Sequence, residues 1–254
     1  MEIKDIASLL GLLKLGFDTV KSFRDIGSKT TIRKTDFESQ SPLSPLSVFK
    51  SEKVSVFMSS LFAPPPIETN EGTLYFLYST NGERLSPVGS GCFVTGLSDA
   101  LGLAKLAVAL IQQSCDFTYE LEESLDTIRN NHLILIGGPS SNAVGKRIYE
   151  ECIPVERKFL AANGGITVGN TVYSSGEYAW LTSLPNPWNS EKRVLWMAGL
   201  GPFGTEAAID YAIGHFSKRT PPEVQSKKDW TIFVKGVLTE SGQKAPPEYV
   251  GTIS

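Results

Sequence analysis

The stretch Arg193-Val-Leu-Trp-Met-Ala-Gly-Leu-Gly-Pro-Phe-Gly-Thr-Glu-Ala-Ala-Ile-Asp-Tyr-Ala-Ile-Gly-His-Phe216 decides the fold. Val194 to Ala198 is an apolar run of strand length. From Glu206 to Phe216 the apolar residues Ala207, Ala208, Tyr211, Ala212 and Phe216 recur at helical spacing. Between them stand Gly199, Gly201, Gly204 and Thr205. The grammar is strand, glycine loop, helix. Glycines let the chain turn sharply and let another group approach the backbone. The helix would aim its free N–H groups and positive dipole end at the loop, a setting that suits an anion or phosphate. The three glycines satisfy Gly-x-Gly-x-x-Gly, and no Gly-Lys-Ser/Thr follows as a P-loop requires. A plain tight turn fits the same residues.

The grammar recurs outward from this stretch. His132-Leu-Ile-Leu-Ile136 reads as a buried strand, Gly137-Gly-Pro-Ser-Ser-Asn142 as its loop, and Ala143 to Glu151 as its helix. Gly89 to Asp99 precedes a helix from Ala100 to Gln112, with Ser98 or Asp99 as its cap. Strands alternating with helices predict an α/β fold, a Rossmann-like three-layer sandwich on a largely parallel sheet. Three loops would then meet at the carboxyl edge of that sheet, where such folds bind ligands. Leu74–Tyr78, Tyr178–Thr182 and Trp230–Leu238 supply further strands, and Lys53 to Phe62 a strand or short helix. Ile166–Val168 and Thr171–Tyr173 around Gly169-Asn170 predict an inserted hairpin with a type II′ turn. Glu120 to Asn130 reads as a helix, Pro185 to Ser190 as a turn, Lys218 to Lys228 as a polar connection, and the tail after Pro246-Pro247 as loose.

The main domain is expected over residues 72–254, preceded by a linker and lead-in segment over 28–71. Residues 1–27 predict an amphipathic helix, since Ile3, Ile6, Leu10, Leu13, Phe17 and Val20 fall on one stripe. Such a stripe calls for cover, and self-association into a homo-oligomer is the first expectation. The near balance of charge places membrane contact last.

A net charge of -3 gives no basic footprint for nucleic acid. Cys92, Cys115 and Cys152 show no paired spacing, which fits a reducing, cytoplasmic setting. With His132 and His215 as the only histidines, no metal site is expected. His132 starts a buried strand and His215 ends a helix, so both read as structural.

Each loop offers polar groups. Gly89, Ser90 and Gly91 precede the first helix, and the carboxylate of Asp99 suits ribose hydroxyls or the helix dipole. Gly137 and Gly138 permit close approach, while Ser140, Ser141 and Asn142 offer hydroxyl and amide groups to a ribose, phosphate or base, or else cap the helix. Gly199, Gly201, Gly204 and Thr205 offer the anion site. Asp99 and Glu206 are the candidates for acid–base catalysis.

Three blocks, Ile136-Gly-Gly-Pro-Ser-Ser-Asn142, Asn186-Pro-Trp-Asn-Ser-Glu-Lys192 and Ala198-Gly-Leu-Gly-Pro-Phe-Gly-Thr-Glu-Ala-Ala208, resemble an uncharacterised prokaryotic Rossmann-like α/β domain family over about residues 72–240. The resemblance implies a fold rather than an activity. Gly201-Pro-Phe-Gly-Thr-Glu206 is also similar to the phosphate loop of the lysine-decarboxylase-like nucleotide-processing proteins, with Pro202 in place of the second Gly and Ala208 in place of the final Glu. The function expected first is a nucleotide- or nucleotide-derivative-binding sensor or regulatory domain, with a small phosphorylated ligand and a nucleotide as the cofactor candidate. A nucleoside or nucleotide N-glycosidic hydrolase and a non-catalytic scaffold or assembly protein are the alternatives.

Overall fold

The structure, a computed structural model, describes residues 44–57, 67–69, 72–78, 84–88, 97–120, 124–161 and 164–253; between 67 and 101 it describes the backbone path only. The expected N-terminal helix and the linker up to residue 43 lie outside the described residues. The chain divides into two compact units, Met1–Lys34 with Ser60–Val94, and Thr35–Ser59 with Thr95–Ser254.

The smaller unit holds a three-stranded antiparallel sheet of β2 (Ile67–Thr69), β3 (Gly72–Tyr78) and β4 (Arg84–Val88). The sequence reading starts the main α/β domain with Leu74–Tyr78, and the structure assigns that strand to this separate sheet. The loop Gly89–Asp99 therefore follows an antiparallel strand of the small sheet, and two of the three expected loops remain on the main one.

The larger unit is built on a seven-stranded mixed sheet in the order β12, β11, β9, β10, β6, β1, β5. Its strands are β1 (Lys53–Phe57), β5 (Asp116–Glu120), β6 (His132–Ile136), β9 (Tyr178–Asn186), β10 (Asn189–Gly199), β11 (Trp230–Leu238) and β12 (Lys244–Ile253). β5, β1, β6 and β10 run parallel. β9, β11 and β12 add three antiparallel pairings, so the sheet is mixed where a largely parallel one is expected. The reason lies at Pro185-Asn-Pro-Trp-Asn-Ser190. These residues read as a free turn, yet β9 runs through Pro185 to Asn186 and β10 restarts at Asn189. A two-residue connection forces the antiparallel pairing.

The part of the lead-in segment from Thr35 to Ser59 also belongs to this unit. β1 sits between β6 and β5, and Leu46 and Phe49 in front of it are buried in the core. The tail is likewise ordered as β12, a ten-residue edge strand. Pro246 and Pro247 are tolerated because they fall in the register shift between the Lys235–Glu248 and Val237–Ala245 pairs, where no ladder donor is needed. β5 replaces the start of the helix expected from Glu120; the helix is shorter, α2 (Leu125–Asn130), with Ser124 as its N-cap.

Strand residues alternate between two apolar clusters, one on each face. Val54, Val56, Ile134, Ile136, Leu195 and Met197 meet α1 (Leu97–Gln112) and α4 (Pro202–Gly214) through Leu103, Leu106, Leu110, Ala208 and Ile209. Gly102 lets these two helices touch, since a Cβ there would lie 2.5 Å from Ile209 Cδ1. Leu133, Leu135, Val194, Trp196, Trp180 and Phe233 form the second cluster with α2, with α3 (Ala143–Arg147) and the π-helical turn Ile148–Cys152, and with Phe159. The expected hairpin forms as β7 (Ile166–Val168) and β8 (Thr171–Tyr173), with Gly169 at φ 59 and Asn170 outside the positive-φ set, as a type II′ turn requires. The expected polar connection contains the short helices α5 (Phe216–Arg219) and α6 (Pro222–Gln225). No helix among the described residues is long and apolar enough to cross a membrane.

Candidate functional site at the carboxyl edge

Two loops leave the parallel strands side by side. The Gly137–Asn142 loop follows β6, and the Gly199–Gly201 loop follows β10, its hydrogen-bonded neighbour. Their helices take opposite faces: α3 packs into the second cluster and α4 into the first. On the other flank of β6, β1 is followed in its sheet by α1, again on the first face. The connection after β1 runs outward to β5, whereas those after β6 and β10 run the other way, to β9 and β11, so the direction reverses between β1 and β6. Doubly wound sheets open their ligand crevices at such points.

The loop after β10 is closed upon itself. The Gly199 N–H donates to Thr205 Oγ1 at 3.1 Å. The Leu200 N–H donates to the Tyr178 carbonyl at 2.9 Å, and the Gly204 N–H to the Gly176 carbonyl at 3.0 Å. A Cβ on Gly199 would lie 2.4 Å from Thr205 N, and one on Gly204 2.6 Å from the Tyr178 carbonyl oxygen. These glycines allow helix, strand and the Gly176 backbone to meet at contact distance. Pro202, the first helical residue, has no N–H to give. The Gly176 carbonyl therefore stands where the anion expected from the sequence would bind.

The loop after β6 is tied at its ends and open in its middle. Gly137 takes φ 95, which favours glycine. Its N–H donates to the Met197 carbonyl at 3.0 Å, and its carbonyl accepts Trp196 Nε1–H at 2.8 Å. The Gly138 carbonyl accepts the N–H groups of Ser141 and Asn142. Asn142 is 1% exposed. Its Oδ1 accepts the Gly145 N–H at 2.9 Å, capping α3, while Nδ2 donates to the carbonyls of Phe57 and Ile136 at 3.0 Å each. One side chain thus caps a helix and fastens the carboxyl ends of β1 and β6. Ser140 is exposed and Gly138 half-buried.

Glu206 is buried at 2% exposure. Its carboxylate accepts Lys105 Nζ at 3.2 Å and Lys244 Nζ, while Lys105 also reaches Asp210 at 2.7 Å. Burial pushes the Asp210 carboxyl up, against the pull of Lys105. For Lys105, burial works downward, and Asp210 and Glu206 outweigh it to hold the ammonium above its ordinary range. Glu206 is therefore the centre of an ion network joining α1, α4 and β12. The sequence singles out Glu206 but gives no sign of Lys105 or Lys244, which lie far away in the chain; Asp210 was readable as its neighbour one helical turn on. Asp99 falls in the first turn of α1, its side chain outside the described set, and Gly89, Ser90 and Gly91 lie outside the described residues.

The Asn-Pro-Trp-Asn block lies at the opposite edge. Asn186 Nδ2 donates to the Ile128 carbonyl at 2.6 Å and its Oδ1 accepts the Trp188 N–H at 3.0 Å. Asn189 Nδ2 donates to the Arg129 carbonyl at 2.8 Å. Both fasten the β9–β10 hairpin to the end of α2. His132 Nδ1 accepts the Arg193 N–H at 3.1 Å, with Nε2 3.6 Å from Glu52, so its role here is structural. Burial and then Lys192 hold the His132 pKa down. Cys115 donates its thiol hydrogen to the Phe49 carbonyl, and burial pushes that thiol up to about 11. Among the described residues, no three of His, Cys, Asp and Glu cluster as a metal site would need.

A scan of protein-family descriptions and a search of curated proteins find no match to the chain.

Proposed function

We propose that the larger unit is a non-catalytic regulatory domain that binds a nucleotide or nucleotide derivative at the carboxyl edge of β6. The observation that carries this reading is the reversal of connection between β1 and β6, which puts the Gly137–Asn142 loop beside that crevice position. Gly138, Ser140 and Ser141 line that loop with small and polar groups. Phosphate recognition by the N-terminus of α4 is not part of the proposal, because the Gly176 carbonyl already takes the Gly204 N–H. The hydrolase alternative would draw on Asp99 and Glu206 as acid and base, and the Glu206 carboxylate is held between two lysines. Self-association through the N-terminal stripe remains part of the proposed regulatory role.

Thermal-shift screening tests the reading against adenine and guanine nucleosides, their phosphates, NAD and cyclic dinucleotides. A ligand bound only to the folded chain and present at 100 times its Kd adds about 2.7 kcal/mol. For a chain of this size that is a rise in Tm of about 5–10 °C. If none of these compounds moves the transition, the proposal is wrong.

A second reading is a scaffold whose glycine and asparagine motifs only build the fold. It is favoured by the internal saturation of Asn142, Gly199 and Gly204. It predicts no ligand for any loop variant to lose.

A further inference from the structure

The backbone pairing of β10 with β6 begins at Val194 and Leu133. One residue earlier, the Arg193 N–H goes to a side chain instead and donates to His132 Nδ1 at 3.1 Å. A neutral imidazole carries one ring proton, so accepting at Nδ1 places that proton on Nε2. Nε2 stands 3.6 Å from Glu52 Oε2, and Lys192 Nζ stands 3.6 Å from the same oxygen. The His132 side chain is 8% exposed. Glu52 faces it from the segment before β1, Lys192 and Arg193 face it from β10, and the uncharged Phe49 ring meets it at 5.5 Å between centroids. The Arg193 guanidinium is engaged elsewhere, with Asp229 at 2.7 Å, Ser183 Oγ at 2.9 Å and the Lys228 carbonyl. Burial and then Lys192 favour the neutral ring, Glu52 favours the charged one, and Arg193 again the neutral. The bond that makes His132 structural also makes it sensitive to a proton. A protonated imidazole donates at both nitrogens, so Nδ1–H would face the Arg193 N–H, donor against donor.

We propose that His132 is a proton-operated latch on the β9–β10 hairpin: the neutral ring holds the Arg193 backbone against β6, and a proton at Nδ1 releases it while the centre of the sheet stays folded. The latch stands at the amino edge and does not depend on nucleotide binding at the other. Glu52 gives the charged ring a partner, so the sheet need not unfold to take the proton. The β9–β10 register shifts between Asn189 and Arg193, and Ser190–Lys192 have no paired position in that ladder. What holds them is local, as in the Glu191 N–H donating to Asn189 Oδ1 at 3.1 Å. Release at Arg193 therefore loosens Ser190–Lys192 and leaves the continuous pairs from Val194 onward in place. The proton favours opening only between two pKa values, about 6.5 for the freed ring and the lower one of the latched ring. As pH falls across that window the opening constant rises about tenfold per pH unit, and below it the rise stops.

The test is amide hydrogen exchange of the full chain by NMR from about pH 7.5 to about pH 5, each rate divided by the intrinsic rate at that pH. Opening at the Arg193 amide should rise about tenfold per unit below pH ~6.5 and level off where the His132 ring protons titrate. The amides of Val56 and Leu135, in central strands, should keep their protection. Lys192→Met should raise the His132 midpoint and the levelling point together, and Glu52→Gln should lower both. Both side chains reach the surface, at 26% and 45% exposure, so these variants keep the fold. His132→Gln retains an acceptor but no titration, and should abolish the slope. An Arg193 amide whose opening does not change with pH overturns the latch. So does an equal rise at Val56 and Leu135, which is global unfolding, and so does a slope that survives His132→Gln. A levelling point unmoved in both charge variants overturns it as well.

Discussion

Changing Asn142 to Asp separates two roles that the sequence cannot tell apart. As an N-cap alone, Asn and Asp are nearly equivalent, and an acid at a helix N-terminus gains from the dipole. The structure gives the amide a second task, since Nδ2 donates to the carbonyls of Phe57 and Ile136 at 3.0 Å each. Asp keeps the acceptor for the Gly145 N–H but sets an oxygen against those two carbonyl oxygens. Each buried group left unsatisfied costs about 1–3 kcal/mol, so the two bonds together are worth about 2–6 kcal/mol. In a chain of this length about 2–4 °C of Tm follows each kcal/mol, giving a fall of about 4–24 °C. Urea unfolding followed by tryptophan fluorescence, with calorimetry for Tm, reads this directly. Asn142→Ala, which loses cap and latch together, provides the comparison. A change in Asn142→Asp within about 0.5 kcal/mol of the parent, the usual range of neutral surface substitutions, would refute the latch.

Gly204→Ala should abolish or severely weaken folding, because its methyl would lie 2.6 Å from the Tyr178 carbonyl oxygen, whereas Gly169→Ala meets open space at φ 59 and should cost about 1 kcal/mol in urea unfolding. His132 has a lowered pKa, so the unfolded chain takes its proton first, near pH ~6.5, and stability should fall as pH drops through the window between that value and the lower folded one. Urea midpoints measured from about pH 7.5 to about pH 5 should show this loss, and His132→Gln should flatten it. Self-association through the N-terminal stripe predicts a larger species by light scattering for the full chain than for residues 41–254, a boundary that keeps the core residues Leu46 and Phe49; equal monomers would exclude it.

The strand–loop–helix units around β6 and β10 were legible because each joins an apolar run to helical periodicity through glycine, and such a pattern is local. The mixed sheet was not, since the prolines at 185, 187, 246 and 247 signal breaks while β9 and β12 absorb them at a hairpin end and in a register shift. β5, Asp-Phe-Thr-Tyr-Glu, hid its strand character because its charged ends and brief alternation belong to an edge strand. At the site, the glycines announced close backbone approach correctly as chemistry but not the identity of what approaches. Around Gly199 and Gly204 the visitor is the chain's own backbone at Thr205, Gly176 and Tyr178.

Hydrogen exchange of the backbone amides, measured with and without a saturating nucleoside chosen by the thermal-shift screen, tests the central claim most directly. Binding at the carboxyl edge of β6 predicts slower exchange over Gly137–Asn142 and the Tyr178–Trp180 end of β9, with Asn186–Lys192 at the opposite edge unchanged. Protection confined to the opposite edge, or a bound nucleoside that leaves Gly137–Asn142 exchanging at its free rate, would contradict it.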